Sequence, residues 1–234
     1  MRKKKLLVIG GSGFIGHHIL KKAIKLGWAA SSISRKKPSV IRKIKKVKYF
    51  KGNLDKFYNE KKKIFKDFDY VINLANSKKF EKKKEIKKFI NFLKTVNTKK
   101  FIQIGSSAEY GNLPNKKIFE SIKCKPISKY GKQKLAHTKN FISGFKENNY
   151  PLVILRLFQV YGPRDNRKKI IPFILNNCSN NNQFNITDGN QTRDFCYIDD
   201  VVRAIMLILK DKSKNLYGKI YNIGSENQLR LNIL

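Results

Sequence analysis

The stretch that most constrains this chain is Lys5-Leu6-Leu7-Val8-Ile9-Gly10-Gly11-Ser12-Gly13-Phe14-Ile15-Gly16. Leu6 to Ile9 is a short apolar run of the kind that forms a buried strand. Glycine follows at once, and then Ile15, Ile19, Leu20, Ala23 and Ile24 recur at helical spacing. Strand, glycine turn and helix in that order make the phosphate-binding half of a dinucleotide fold. Gly10 lets the chain turn off the strand, Gly13 lets the backbone approach a pyrophosphate, and Gly16 lets the helix pack close to the sheet. Free N–H groups of the first helical turn, where Phe14 and Ile15 stand, would face the phosphates. Gly11-x-Gly13-x-x-Gly16 and Gly10-x-x-Gly13-x-x-Gly16 both fit, and neither is specific by itself.

The alternation continues. Trp28 to Ser34 reads as a second strand and Val47 to Phe50 as a third, leaving through Gly52-Asn53-Leu54. Asp69 to Asn76 reads as a fourth strand with its exit. Glu81 to Val96 is a lysine-faced helix with an apolar stripe at Ile86, Phe89, Ile90 and Leu93, and Lys100 to Gly105 is a fifth strand. Strands alternating with helices imply an α/β chain with a Rossmann-like, doubly wound parallel sheet. Ligands of such sheets lie at the carboxyl ends of the strands. Gly10 to Gly16, Leu74-Ala75-Asn76 and Ser106-Ser107 all fall there. An acid at the end of the second strand would suit the free 2′-hydroxyl of NAD, and a basic residue the 2′-phosphate of NADP. Ser34-Arg35-Lys36 holds no acid, which points to NADP, with NAD as the alternative.

Composition narrows the class. The 234 residues include 41% hydrophobic ones, enough for one large domain with a substantial core. The net charge of +36 comes from 52 basic residues, mostly lysines spread in pairs and triples along the whole chain. No arginine-rich face or nucleic-acid motif appears, so a solvated basic surface is the preferred reading over nucleic-acid binding. Met1-Arg2-Lys3-Lys4-Lys5 resembles the start of a signal peptide, but the apolar run behind it is too short. No run reaches the ~18 apolar residues of a membrane span, and the expected location is the cytoplasm. Cys124, Cys178 and Cys196 read as free thiols, and the three histidines have no ligand spacing, so no metal is expected.

Pro126, Ser128 and the run Lys129-Tyr130-Gly131-Lys132-Gln133-Lys134 open a helix running toward Asn149. Tyr130 and Lys134, four apart, share one face. A phenol has a pKa near ~10, and a neighbouring ammonium would draw it toward neutral pH. On a lysine-rich helix the pair alone carries little weight. It is joined, in order, by Asn73-Leu74-Ala75, Gly105-Ser106-Ser107-Ala108-Glu109-Tyr110-Gly111, Leu155-Arg156-Leu157-Phe158-Gln159-Val160-Tyr161-Gly162-Pro163-Arg164, Thr192-Arg193-Asp194-Phe195, and Tyr221-Asn222-Ile223-Gly224.

Together these motifs resemble the extended short-chain dehydrogenase/reductases, in their nucleotide-sugar epimerase/dehydratase branch. The resemblance implies NAD(P)-dependent chemistry on a nucleotide sugar, as a 4-epimerase or 4-keto reductase. It implies Tyr130 as acid/base, Lys134 as its electrostatic partner and ribose anchor, and Ser106 as the hydroxyl that meets the reacting sugar oxygen. Ser107, Gln159 and Arg193 would meet the substrate, Arg193 at its diphosphate. Gly10, Gly13, Phe14, Ile15, Gly16, Ser34, Arg35, Asn53, Leu54, Leu74 and Ala75 would meet the dinucleotide. A homodimer is left open. Ala108 stands where the branch's dehydratases carry an acid, and Glu109 comes one place late, which argues against 4,6-dehydration. Gln159 replaces a common asparagine. The resemblance divides the chain into a dinucleotide domain over 1–160, joined by 196–224, and a substrate lobe from 161–195 and 225–234. That lobe is expected to be small and truncated, with a non-catalytic dinucleotide-binding remnant or a 4,6-dehydratase as alternative functions.

Overall fold

The structure is a computed structural model and describes residues 2–53, 67–113, 117–185 and 187–233. Strand β1 (Lys5–Ile9) leads through the glycine turn into helix α1 (Phe14–Lys25). Strands β2 (Ala29–Ser34), β3 (Val47–Lys51) and β4 (Tyr70–Asn73) follow, then helix α2 (Lys83–Thr95) and strand β5 (Lys100–Ser106). Helix α3 (Lys129–Asn148), β6 (Leu152–Leu157), β7 (Gln159–Tyr161) and α4 (Ile170–Ser179) come next. The described chain closes with β8 (Thr192–Tyr197), α5 (Ile198–Lys210), β9 (Ile220–Ile223) and β10 (Gln228–Arg230).

Seven strands form one parallel sheet in the order β3-β2-β1-β4-β5-β6-β9. The order reverses between β1 and β4, which opens a crevice at their carboxyl ends. Helices cover both faces, so the central strands read as near-continuous apolar runs, and all six residues of β6 are buried. One core joins α1 and α5 to the sheet through Leu6, Val8, Ile19, Leu20, Val201 and Ile205. The other joins α2 and α3 through an aromatic cluster. Phe80, Phe89, Phe101 and Phe141 meet there at ring-centroid distances of 5.4, 5.2 and 5.5 Å for the pairs Phe80–Phe89, Phe89–Phe101 and Phe101–Phe141. Among the described residues no helix is long and apolar enough to cross a membrane.

The expected helix from Glu81 to Val96 is split. A 3₁₀ turn spans Lys78–Glu81, Lys82 is extended, and α2 then starts at Lys83. The Ser77 hydroxyl accepts from the Lys79 N–H and starts that turn, so Phe80 can drop into the aromatic core. A second, three-stranded sheet has the order β10-β8-β7, with β7 parallel and β10 antiparallel to β8. It lies beyond the carboxyl end of β6, because β7 begins two residues after β6 ends.

Buried polar side chains pin the strand ends. Asn73 and Gln103, register partners on β4 and β5, share a hydrogen bond of 2.8 Å, donated by the Asn73 amide. The Asn73 Oδ1 then accepts from the Ala75 N–H at 3.0 Å and sets the loop after β4. Lys100 is buried in β5 and donates to the Ile208 and Asp211 carbonyls at 2.8 and 2.5 Å, which closes the C-terminal end of α5.

Candidate functional site

The loop after β1 lies against the loop after β4. Gly10 has a φ of +85°, and a Cβ there would come within 3.3 Å of the Ala75 nitrogen and of Leu74. A Cβ on Gly16 would sit 2.5 Å from the Gly11 Cα, so α1 starts hard against the glycine turn itself. The expectation tied Gly16 to packing of the helix on the sheet; the close approach is instead to this loop. Helix α1 has Gly13 at its N-cap, no side-chain cap and no acid in its first turn. Its first N–H groups and its dipole are therefore left for an anion.

A cleft of ≈ 1120 Å³ opens above this turn. It exceeds the about 300–1,000 Å³ of drug-sized pockets and is large enough for an extended ligand. Gly10, Gly13, Ser34, Arg35, Asn53, Leu74 and Ala75, singled out from sequence, line it. Phe14, Ile15 and Gly16 stand at the start of α1 outside the wall of the cleft. Phe14 meets His18 edge-on at 5.4 Å, and Ile15 packs against the core. Leu54 lies outside the described residues. The Ser34 hydroxyl accepts from the Ser12 N–H at 3.2 Å and ties the end of β2 to the glycine turn. Lys36, Lys78, Lys79 and Gln133 also line the cleft. Of these, Lys78, Lys79 and Gln133 were not singled out from sequence, because only folding brings their segments to the glycine turn.

A second cleft, of ≈ 950 Å³, lies on the other side of the start of α3. Ser106, Ser107, Tyr130, Gln159 and Arg193 all line it, with Ala108, Phe158, Asp194 and Arg230. Helix α3 thus presents Gln133 to the first cleft and Tyr130 to the second. The Asn76 amide donates to Gln133 at 2.6 Å and the Gln133 amide to Glu81 at 2.5 Å, which holds α3 against the loop after β4. Arg193 donates to its own Thr192 carbonyl at 2.8 Å. Asp194 turns elsewhere and accepts from the N–H and hydroxyl of Ser225 and from the Glu226 N–H. Among the described contacts no carboxylate holds the Arg193 guanidinium. Arg230, opposite Thr192 on β10, adds a second arginine that no motif announced.

Tyr130 is 48% exposed, facing the cleft. Its phenol is pushed above the usual value, chiefly by burial; the neighbouring Ser106 hydroxyl opposes this, and the charge of Glu109 adds to it. Lys134 stands beside this phenol, as the spacing expects, but has an acceptor of its own. Its ammonium is buried and donates to the Ile104 carbonyl at 2.9 Å, with Nζ 5.9 Å from the Tyr130 ring centre. A buried ammonium must find an acceptor, and the main chain at the end of β5 offers one. Burial lowers the Lys134 pKa to about 8, opposed by Glu109. His137, one turn further on, is lowered to about 4 by burial and by the Lys134 charge.

Residues 6–224 match the profile of the NAD dependent epimerase/dehydratase family. The chain is 28% identical to the dTDP-D-glucose 4,6-dehydratase of Homo sapiens, over 97% of this chain and 70% of that protein. UDP-glucuronic acid 4-epimerase from Bacillus cereus, solved in complex with UDP-glucuronic acid and NAD, is 26% identical with a TM-score of 0.82. The match covers 97% of this chain and 80% of that one. The dTDP-glucose 4,6-dehydratase from Bacillus anthracis, in complex with NAD, shares the fold at 20% identity and a TM-score of 0.83, over 98% and 78% of the two chains.

The buried ammonium has a measurable consequence for stability. Between pH 8 and 10.5 the unfolded chain holds the Lys134 proton and the folded chain has begun to lose it. The unfolded state then binds more protons, so this group's contribution to stability rises with pH through that window and is lost as pH falls through 8. Urea unfolding of the protein without dinucleotide should show the parent gaining about 2 kcal/mol relative to Lys134→Met between about pH 8 and 10. A flat difference across that range would contradict the buried ammonium.

Proposed function

The chain belongs to the NAD dependent epimerase/dehydratase family, and from that premise we propose that it is an NAD(P)-dependent nucleotide-sugar 4-epimerase or 4-keto reductase. The observation that carries the reading is the meeting of Tyr130 and Ser106 in the wall of one cleft, on the helix that also borders the glycine-turn cleft. The first cleft fits a dinucleotide. Its glycine turn needs a left-handed backbone at Gly10 and leaves no room for a Cβ at Gly16, and the uncapped start of α1 offers N–H groups to phosphate. Gly10, Gly13, Ser34, Arg35, Asn53, Leu74 and Ala75 would hold that group, and Lys134 would reach its ribose. When bound, the dinucleotide supplies hydride acceptance and donation.

The protein's own part is to bind, orient and move a proton. Arg193, with no carboxylate partner among the described residues, would hold the diphosphate of a nucleotide sugar through its planar fork. Ser106 would hydrogen-bond the sugar oxygen, and Tyr130 would take up or return the proton of the sugar hydroxyl. Its raised pKa leaves it protonated at neutral pH, as suits the direction in which a ketone is reduced. Ala108 lines the cleft where an acid would be needed for dehydration, and Glu109 is fully buried and turned away from it. These two residues favour the epimerase or reductase reading over a 4,6-dehydratase. For the cofactor we infer NADP, because the cleft wall at the end of β2 carries Arg35 and Lys36 and no acid.

Two experiments test the reading. With a panel of nucleotide sugars, Tyr130→Phe should reduce kcat about 100- to 10,000-fold and leave dinucleotide affinity within about twofold of the parent. Near-normal turnover would remove Tyr130 from its role. NADP should bind more tightly than NAD, and replacing Arg35 and Lys36 by Ala should narrow the gap by about 1.5–3 kcal/mol. Equal affinities in the parent would overturn the NADP assignment.

A further inference from the structure

Glu109 is 0% exposed and touches neither cleft, yet both its oxygens are committed. Oε1 accepts from the Ser106 N–H at 2.9 Å, and Oε2 accepts from the Arg156 Nε–H at 2.9 Å. The Ser106 Oγ accepts from the Ala108 N–H at 3.2 Å. A serine hydroxyl whose oxygen is already accepting has its one proton left to give. Gly105 makes room for the arrangement, since a Cβ there would lie 2.6 Å from the Glu109 Oε1 and 3.2 Å from Arg156. Arg156 continues the chain of bonds, donating from NH1 to the Tyr110 hydroxyl at 2.9 Å. Tyr110 donates to the Asn222 Oδ1 at 2.7 Å. The carboxyl ends of β5, β6 and β9 are thereby joined by one buried network, and it ends at Ser106.

We propose that Glu109, locked to Arg156, is a positioning residue: it fixes the Ser106 main chain so that the Ser106 hydroxyl is presented to Tyr130 as a donor. The proposal rests on the reading of Tyr130 and Ser106 as the reacting pair. It also accounts for a charged pair where an apolar one would cost less to bury. The charged and titratable groups around these residues are few. Tyr130 faces Ser106 and the charge of Glu109, with Lys134 on its own helix. Lys134 faces Glu109 and, on its own helix, His137. Glu109 faces Arg156, with Tyr110 and Cys124 beside the pair.

Two variants separate position from charge. Glu109→Asp keeps the charge but shortens the reach to the Ser106 N–H. Glu109→Gln combined with Arg156→Met keeps an acceptor for that N–H and removes both charges, a neutral replacement that buried pairs tolerate. The readouts are kcat, KM and the phenol titration of Tyr130, taken as the ultraviolet difference between each protein and its Tyr130→Phe counterpart. Loss of the Ser106 donor should move the phenol to higher pH in Glu109→Asp, with kcat down about 100-fold and KM held. Loss of the Glu109 charge should move it to lower pH in the double variant. Opposite shifts support the proposal. A phenol unmoved in both variants, or moved the same way in both, overturns it, as does parental kcat in a folded Glu109→Asp. If Glu109→Asp does not fold, Glu109→Leu with Arg156→Met replaces it: equally uncharged but without the acceptor, its phenol should titrate above that of the Glu109→Gln double variant, and an equal titration overturns the proposal. The titration needs no turnover, so a parent inactive on every nucleotide sugar would defeat the functional reading while the shifts still judge Glu109.

Discussion

A parallel sheet covered on both faces leaves its strands no water to turn to, and the rest of this molecule follows from how it meets that condition. Polar side chains within the central strands must find partners inside the protein. Asn73 and Gln103 bond to each other, Lys100 closes the end of α5, and Arg156 pairs with Glu109. Two of these four, Asn73 and Arg156, lie at or near the carboxyl ends of their strands, and each helps to fix a loop there. Asn73 holds the Leu74–Ala75 loop, and Glu109 with Arg156 holds the turn at Ser106. The bonds that make the sheet end acceptable in a dry interior are the same bonds that hold the two clefts in shape.

Charge follows a similar division. Most of the 52 basic residues cover the surface, where they draw anions in general without selecting among them. A few are placed. Arg35, Lys36, Lys78 and Lys79 border the first cleft, and Arg193 and Arg230 the second. Two clefts with basic walls thus lie on either side of the start of α3, with Tyr130 in the wall of the second. Lys134 stands between them, buried on the Ile104 carbonyl, with a proton it holds only up to about pH 8.

Much of this was legible in the sequence where the signal is local. The apolar run Leu6–Ile9, the glycines behind it and the stripe of α1 sit next to one another, and they became β1, the turn and α1 within a residue. Ser106, Tyr130, Gln159 and Arg193 were legible through the order of their motifs, and they meet in one cleft. What escaped depends on contacts that no spacing encodes. Glu109 looked like an acid displaced by one position, because its partner Arg156 lies 47 residues away. The spacing set Lys134 beside Tyr130, but it could not show the acceptor of its ammonium, the Ile104 carbonyl, which is 30 residues back. The break at Lys82 escaped because the lysine-rich run hides Phe80, whose burial in the aromatic core bends the chain there.

The central claim is that the Tyr130–Ser106 corner passes a proton to and from a sugar hydroxyl while a bound dinucleotide exchanges hydride with the same carbon. The most direct measurement mixes the protein, loaded with oxidised NADP or NAD, with UDP-, dTDP-, CDP- and GDP-sugars deuterated at C4, and follows dinucleotide reduction and the label. The account predicts reduction with at least one sugar, slowed by the deuterium, with the label transferred to the dinucleotide or returned to C4 of the epimer. A folded protein that binds both a dinucleotide and a nucleotide sugar, yet never reduces the dinucleotide or moves the label, would contradict it.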